Sequence, residues 1–129
     1  MSDKLPYTST FKDLLAYRKA MILAERIYTL TKQYPKEELY SLTDQIRRSS
    51  RSVGAQIAEA WGKRRYINHF ILMLTNASVE LNETERWLDI SNNCAYLSDE
   101  FRDELIKLCQ KINGLVGGMI SKASLFCEQ

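Results

Sequence analysis

The sequence predicts an all-α fold, an antiparallel four-helix bundle, and three observations support this prediction. Apolar residues recur at steps of three and four along the chain, which is helical spacing. Pro35, Gly62 and the pair Asn92-Asn93 divide the chain into four segments of similar length. No segment alternates with period two for long enough to form a strand. Amphipathic helices with short connections bury their apolar faces against one another, so a bundle is favoured over the alternative of a long coiled coil.

The first two helices are predicted over about residues 11–33 and 39–62. The first has an apolar stripe of Leu14, Tyr17, Met21, Ala24, Tyr28 and Thr31. It should stop before Pro35, because proline disfavours helical geometry in the residue that precedes it. The stripe of the second helix is Leu42, Ile46, Ser49, Val53, Ile57 and Ala60. Gly62 should end it, since glycine leaves a helix at low cost.

The last two helices are predicted over about residues 68–92 and 99–123. The third has the stripe Phe70, Leu74, Ala77, Leu81, Thr84 and Leu88, and the fourth has Phe101, Leu105, Leu108, Ile112, Leu115 and Met119. Ser98 is a suitable N-cap for the fourth, and Asp99 and Glu100 favour the positive end of a helix. Three glycines late in the fourth helix (114, 117 and 118) indicate either close helix packing or an early end.

Composition predicts a single domain spanning residues 1–129. The charged fraction of 26% and the hydrophobic fraction of 45% are ordinary for a globular protein. No apolar run has the length of a signal peptide or a membrane span, so we expect a cytoplasmic protein without a membrane partner. Three widely spaced cysteines and one histidine, His69, argue against a disulfide framework or a zinc site, and no cofactor is expected.

Positive charge is concentrated between Gln45 and Arg65. This segment has six basic residues and one acidic residue, a net charge of +5, whereas the whole chain carries +2. The basic residues are Arg47, Arg48, Arg51, Lys63, Arg64 and Arg65. Since the rest of the chain is negative, the charge is local, and a local basic patch on a helix indicates an anionic partner, most commonly nucleic acid.

A helical wheel separates two groups within this segment. One is a polar stripe beside the apolar stripe, formed by Gln45, Arg48, Ser52, Gln56 and Glu59. These residues are expected either to meet partners on another helix or across a subunit boundary, or to form a solvated face. Glu80 and Glu83 of the third helix are candidate partners for Arg48.

The second group lies further outward and in the following turn. Its members, predicted to bind nucleic acid, are Arg47, Arg51, Lys63, Arg64 and Arg65. The guanidinium group is a planar fork that suits phosphate oxygens. Tyr66 is placed to stack on an unpaired base. The alternative is a solubilising surface with ordinary salt bridges.

Two tryptophans, Trp61 and Trp87, lie off the main stripes. Tryptophan is enriched in subunit interfaces, so one or both are expected there. The alternative places them at the flank of the core. The periodicity does not distinguish these positions.

Catalysis is not expected. A di-iron bundle needs Glu-x-x-His pairs, and the chain has a single histidine. There is neither a phosphate-binding loop nor a G-x-S-x-G motif. We therefore assign no catalytic residue.

The segment LYSLTDQIRRSSRSVGAQIAEAWGK resembles the signature of a small bacterial four-helix-bundle family. That family is named for proteins encoded in intervening sequences of large-subunit ribosomal RNA genes, and the resemblance covers about residues 11–122. The matching residues are Pro35, Glu38, Leu42, Gln45, Arg48, Ser49, Ser52, Val53, Ile57, Ala58 and Glu59. Gln56 replaces the family's usual Asn, and Ala60 replaces its usual Gly.

The resemblance implies an up-down-up-down bundle that assembles as a homopentamer, and a link to ribosomal RNA. The accessory subunit of diversity-generating retroelements is similar in fold and binds nucleic acid and a reverse transcriptase. We therefore expect a non-catalytic oligomer that binds RNA or DNA. The alternative is an interaction scaffold or accessory subunit for a reverse transcriptase or a ribosome-associated partner.

Overall fold

The computed structural model describes residues 9–127, and within them it is all-α, without strands. The four long helices are α1 (Leu15–Thr31), α2 (Leu42–Gly62), α3 (Ile67–Asn93) and α4 (Asp99–Ser121). A short helix, α5 (Ala123–Phe126), follows, and Phe11–Asp13 and Lys36–Glu38 form 3-10 turns. The all-α prediction is confirmed. Within the described chain, no helix is both long and apolar enough to cross a membrane.

The first helix starts later than the predicted residue 11. Thr10 caps the 3-10 turn Phe11–Asp13, its hydroxyl accepting from the Lys12 amide. Leu14 then has extended backbone (φ −69°, ψ 129°), which interrupts the helix before Leu15. A local side-chain cap thus competes with helical hydrogen bonding here.

The long helices form a ring around one core. α1 packs against α2 and α4, and α3 packs against α2 and α4. Side-chain hydrogen bonds tie neighbouring helices, among them Ser49 to Thr84 between α2 and α3, and Ser78 to Asn113 between α3 and α4. Both pairs are 35 residues apart. The midpoint of each pair falls at the connection between its helices, as in a helical hairpin.

Burial agrees with the predicted stripes in α2 and α3. All the residues of these two stripes are buried, from Leu42 to Ala60 in α2 and from Phe70 to Leu88 in α3. In α4 the buried set is Leu105, Cys109, Ile112, Val116 and Met119. Phe101 of the predicted α4 stripe is exposed.

The predicted stripe of the first helix is wrong at most of its positions, since only Leu14 and Thr31 of its six residues are buried. Met21 and Tyr28 are exposed, and the buried residues are Ala16, Ala20, Leu23, Ile27 and Thr31. This helix is apolar around much of its circumference, so periodicity alone does not choose the inner face. Gly54 of α2 faces this side of α1, since a Cβ atom built on it would lie 3.6 Å from the Tyr17 ring and 3.8 Å from the Ala20 Cβ atom, which is ordinary van der Waals contact.

The glycines of α4 fit neither sequence-based alternative. The helix continues through Gly114, Gly117 and Gly118 to Ser121. A Cβ atom built at any of the three would meet nothing within 4 Å. These positions face open space, so close packing within the chain does not account for them.

Candidate nucleic-acid interface

Three cations converge on one aromatic ring where α1 meets α2. The Lys32 Nζ atom lies 4.7 Å from the centroid of Tyr28, and the Cζ atoms of Arg47 and Arg51 lie at 4.8 and 5.5 Å. These four residues are referred to below as the Tyr28 cluster. Lys32 follows Tyr28 by one helical turn, and Arg51 follows Arg47 by one turn, so the α1–α2 contact brings both pairs together. Each cation is within the range of a cation–π interaction.

Arg47 is held in place within this cluster. Its Nε atom donates a hydrogen bond to the Thr31 hydroxyl at 2.8 Å. The Thr31 hydroxyl in turn donates to the backbone carbonyl of Ile27, also at 2.8 Å. The half-buried arginine is therefore fixed by a buried threonine at the end of α1, and its guanidinium points along the surface toward Tyr28.

In the part of the chain that the structure describes, no ion pair neutralises the charge of the Tyr28 cluster. Between residues 9 and 127, ion pairs involve Arg18, Arg26, Arg48 and Arg102. None of them includes Lys32, Arg47 or Arg51. Three like charges share a small surface, and an anion placed between them would relieve their repulsion.

The other predicted binding residues lie at the far end of α2. Residues 61–66 and His69 line a cleft of about 550 Å³, here named the turn cleft. Tyr66 is 58% exposed, and its ring centroid lies 5.5 Å from that of His69 in a tilted arrangement. Lys63 and Arg65 are exposed at the rim. No carboxylate in the described part of the chain pairs with either of them.

Arg64 differs from its two neighbours. Its guanidinium carbon lies 3.6 Å from the centroid of the Trp61 ring, and its Nε atom donates to the Trp61 carbonyl at 2.8 Å. The side chain is half-buried and folds back onto α2. Arg64 therefore forms a wall of the turn cleft, with its charge at the surface and its position fixed.

The five residues predicted to bind nucleic acid do not form one cluster. Arg47 and Arg51 belong to the Tyr28 cluster, whereas Lys63, Arg64 and Arg65 belong to the turn cleft. Gly62, at the edge of the cleft, follows Arg51 by eleven residues, which corresponds to about 17 Å along the helix axis. The candidate interface thus consists of two basic sites, one beside α1 near the middle of α2 and the other at the C-terminal end of α2.

The polar stripe borders a groove between α2 and α3. The groove has a volume of about 510 Å³ and includes Gln45, Arg48, Ser52, Glu80 and Glu83. Arg48 is 73% exposed and makes an ion pair with Asp44 at 3.9 Å, in place of the expected pair with Glu80 or Glu83. Burial raises the pKa of Glu80, as does the charge of Glu83, and Arg48 opposes the shift.

Within a single chain the polar stripe is largely a surface. Gln45, Arg48 and Glu59 are exposed, and Ser52 and Gln56 are half-buried. The Oε1 atom of Gln56 is shielded from solvent and has no hydrogen-bond partner in residues 9–127. A role for the stripe in subunit contacts stays a prediction.

At the end of the bundle near the α3–α4 connection, a second polar cluster joins Glu38 and Tyr96. The Tyr96 hydroxyl donates to Glu38 Oε2 at 2.9 Å, and the Ser41 hydroxyl donates to Oε1 at 2.6 Å. The bond to Glu38 raises the pKa of Tyr96 to about 12. The hydrogen bond from Ser41 has the largest effect on the pKa of Glu38 and lowers it, and the bond from Tyr96 lowers it further.

Neither tryptophan is fully buried, and both pack against the core. Trp61 also supports Arg64 in the turn cleft. The Nε1 atom of Trp87 is buried without an acceptor in the described chain.

Across residues 9–127 no group of three or more His, Cys, Asp or Glu side chains is arranged to hold a metal ion. Cys94 is exposed, and Cys109 and Cys127 are buried.

Sequence reasoning missed Tyr28 and Lys32 as site residues. The spacing predicts that Tyr28 belongs to the core stripe, although its side chain is exposed and three cations lie over its ring. A signal was present, because Tyr28 and Lys32 form an i, i+4 pair directly before the Pro35 turn. A hairpin at that turn places this pair beside Arg47.

This chain is similar to known proteins in sequence and in fold. The family model described as 23S rRNA-intervening sequence protein matches residues 12–118. A crystal structure from Bacteroides thetaiotaomicron VPI-5482, of a protein with unknown function from the S23 ribosomal protein family, is 32% identical with a TM-score of 0.76. The similarity covers 85% of this chain and 98% of that chain. None of the curated proteins matches. The family match confirms the resemblance seen in the sequence.

Proposed function

Because this chain belongs to the 23S rRNA-intervening sequence protein family, we propose that it is a non-catalytic nucleic-acid-binding protein whose primary partner is RNA. The observation that carries the proposal is the Tyr28 cluster. Lys32, Arg47 and Arg51 lie within 5.5 Å of one ring centroid, and no carboxylate among residues 9–127 pairs with them.

The chemistry of the cluster suits a phosphate backbone. Two guanidinium groups offer forked donors to phosphate oxygens, and Lys32 adds a point charge. Because Thr31 and Tyr28 already position Arg47, less side-chain entropy is lost on binding than for a mobile arginine. Phosphate contacts release counterions, so binding should weaken steeply as salt rises.

We place this interface on an up-down-up-down bundle that assembles as a homopentamer. The two bonds between residues 35 apart support the hairpin topology. Exposed apolar side chains on α1 and α3, which include Leu15, Ile22, Leu72 and Val79, offer surfaces for subunit contact. Five copies of the Tyr28 cluster in one particle would bind a polyanion by avidity. Light scattering on the purified protein tests this, and a monomer at micromolar concentration would contradict it.

Fluorescence anisotropy tests RNA binding. Labelled RNA and DNA oligonucleotides are titrated at low and at moderate salt with the wild type, with Arg47→Ala plus Arg51→Ala, and with Arg48→Ala. Arg48 is the matched control, because it lies on the same helix but pairs with Asp44. We expect the double variant to lose binding and the control to keep it. A folded wild type that binds no nucleic acid at low salt would overturn the proposal.

The second candidate function is binding to a protein partner, and the exposed apolar side chains of α1 favour it. Leu15, Met21 and Ile22 are 52%, 46% and 47% exposed on this one helix. Such an apolar surface would suit a reverse transcriptase or a ribosome-associated protein as well as another subunit. Co-purification of a partner that persists after nuclease treatment and in the Arg47→Ala, Arg51→Ala double variant would support this function over nucleic-acid binding.

A further inference from the structure

One face of α2 connects the Tyr28 cluster to the turn cleft. Arg51, Ala55, Ala58 and Gly62 follow one another at steps of four, three and four residues. These steps return to the same side of a helix, because three turns take about eleven residues. Ala55 and Gly62 are exposed and Ala58 is half-buried. The short side chains leave a smooth surface along which a polymer can approach the backbone.

The path along this face of α2, from the Tyr28 cluster to the turn cleft, is unevenly charged. Glu59 is the only charged residue between Arg51 and Lys63, and it is exposed. Both ends of the path are positive, with the Tyr28 cluster at one end and the turn cleft at the other. A polyanion that touches both ends therefore passes Glu59, which lies closer to the turn cleft than to Arg51. At the Arg51 end it also passes Glu80 and Glu83 of α3, which line the same groove as Arg51 and Ala55.

The turn cleft has the features of a base-stacking site. The ring of Tyr66 is more than half exposed and is supported by His69 at 5.5 Å. Lys63 and Arg65 are exposed beside it, and Arg64 is fixed on Trp61 as a wall. Exposed aromatic rings beside cations bind unpaired bases, because every base has a face that can stack and a phosphate nearby.

We propose that this face takes a single-stranded nucleic acid, with phosphates on the Tyr28 cluster and an unpaired base stacked on Tyr66 in the turn cleft. The inference rests on the proposed function and adds the strandedness of the ligand. The two sites are about 17 Å apart along α2. Stacked nucleotides advance roughly 3.4 Å each, so a stacked strand reaches both sites with roughly five nucleotides.

A duplex can satisfy only one of the two sites. Its phosphates can lie against the Tyr28 cluster, but its bases are paired and stacked inside the helix and present no face to Tyr66. A duplex is also stiff, with a persistence length of about 150 base pairs, so bending it locally toward the cleft costs free energy. The structure thus predicts preference for single strands over duplexes of equal length.

The experiment measures anisotropy with five labelled ligands: single-stranded RNAs of four and twelve nucleotides, a twelve-nucleotide DNA, and RNA and DNA duplexes of twelve base pairs. The variants are Tyr66→Ala, Tyr66→Phe, Glu59→Gln, and Arg47→Ala plus Arg51→Ala. Since Tyr66 is exposed, its variants should fold, and circular dichroism checks this. The RNA and DNA arms separate the two sources of the same chemistry.

The expected results have a specific pattern. Tyr66→Ala weakens the twelve-nucleotide complex at least about fivefold, the lower end of one base–aromatic stack, and leaves duplex binding unchanged. Tyr66→Phe keeps the wild-type affinity, because the ring remains. Glu59→Gln strengthens binding of the twelve-nucleotide strand. The four-nucleotide strand binds more weakly and is insensitive to Tyr66→Ala.

The outcomes distinguish this inference from the proposed function. If the arginine double variant loses binding but Tyr66→Ala does not, the single-strand inference is overturned and the proposed function stands. Equal or tighter binding of duplex also overturns the inference. If the wild type binds none of the five ligands, both fail.

Discussion

The hydroxyl groups of Ser49 and Thr84 share a 2.8 Å hydrogen bond in the buried interior between α2 and α3. Each hydroxyl also has a backbone acceptor in its own helix, the Glu80 carbonyl at 2.9 Å for Thr84 and the Ile46 carbonyl at 3.3 Å for Ser49, so either hydroxyl can donate in the bond between them. A polar pair at this depth sets the position of α2 along α3, because sliding either helix would break the bond between the two hydroxyls and leave each with only a carbonyl of its own helix.

The Ser49–Thr84 pair should be measurable by a double-mutant cycle. Thr84→Val and Ser49→Ala should each lower the free energy of unfolding by about 1–2 kcal/mol. The double variant should lose less than the sum, because the bond between the two hydroxyls is removed only once. Urea denaturation measures all four proteins. Strict additivity would contradict the inferred bond.

The Tyr28 ring should organise the cations of its cluster. Tyr28→Leu removes the aromatic face, and we expect nucleic-acid affinity to fall about twofold to fivefold, which corresponds to the roughly 0.5–1 kcal/mol of one cation–π contact at an exposed site. Tyr28→Phe retains the ring and should bind as the wild type does. Anisotropy at fixed salt gives both values. A wild-type affinity in Tyr28→Leu would show that the ring does not position the cations.

The salt dependence of binding should report how many phosphates are contacted. For a single strand, each lost phosphate contact reduces the slope of log K against log salt by about 0.7. Arg47→Ala plus Arg51→Ala should therefore reduce the slope by about 1.4. Arg48→Ala, whose arginine pairs with Asp44, should leave it nearly unchanged. Equal effects of the double variant and the control would argue against the Tyr28 cluster as the phosphate site.

The Tyr96–Glu38 bond should make stability sensitive to alkaline pH. The pKa of Tyr96 is raised from 10.0 to about 12, because its hydroxyl donates to the Glu38 carboxylate. A raised folded-state pKa contributes stability that is complete below about pH 10 and is lost as pH rises through about 12. Thermal denaturation between pH 9 and 12 should show a smaller decline in Tyr96→Phe than in the wild type. Parallel curves would contradict this linkage. Tyr34 and Cys109, whose pKa values burial also raises, contribute equally to both proteins.

The open glycines of α4 should be sites of stabilisation. Replacing Gly114, Gly117 and Gly118 by Ala should raise the free energy of unfolding by about 2 kcal/mol in total, because alanine favours the helix and nothing lies within 4 Å of the new methyl groups. Gly62→Ala is the control, since Gly62 has equal room but ends α2. Urea denaturation should show a smaller gain there. A loss of stability in the triple variant would reveal contacts beyond the single chain.

Much of the fold could be predicted from the sequence where a helix has one apolar face. α2 and α3 each have such a face, and their buried residues follow the predicted stripes. α1 could not be oriented, because Met21, Ile22 and Leu23 are consecutive apolar residues and the inner side is selected by packing against α2 and α4. Tertiary packing overrides local periodicity in this helix.

The candidate site was predictable in composition but not in arrangement. Local sequence shows that Arg47, Arg51 and Lys63 are basic and outward. It does not show that Lys32 joins the first two, since that contact spans the α1–α2 connection. Arg64 was grouped with its neighbours, yet it folds onto Trp61, and a stacking contact of this kind depends on rotamers that the sequence does not specify.

The arrangement of three cations around Tyr28 has a consequence for how this surface withstands mutation. When one ring anchors several charges, the loss of any one leaves the others in place, and the field that attracts an anion declines gradually. Relatives can therefore exchange individual basic residues by neutral drift while the surface keeps its character. One-at-a-time alanine scanning would underestimate such a redundant surface, and combined substitutions are needed to reveal it.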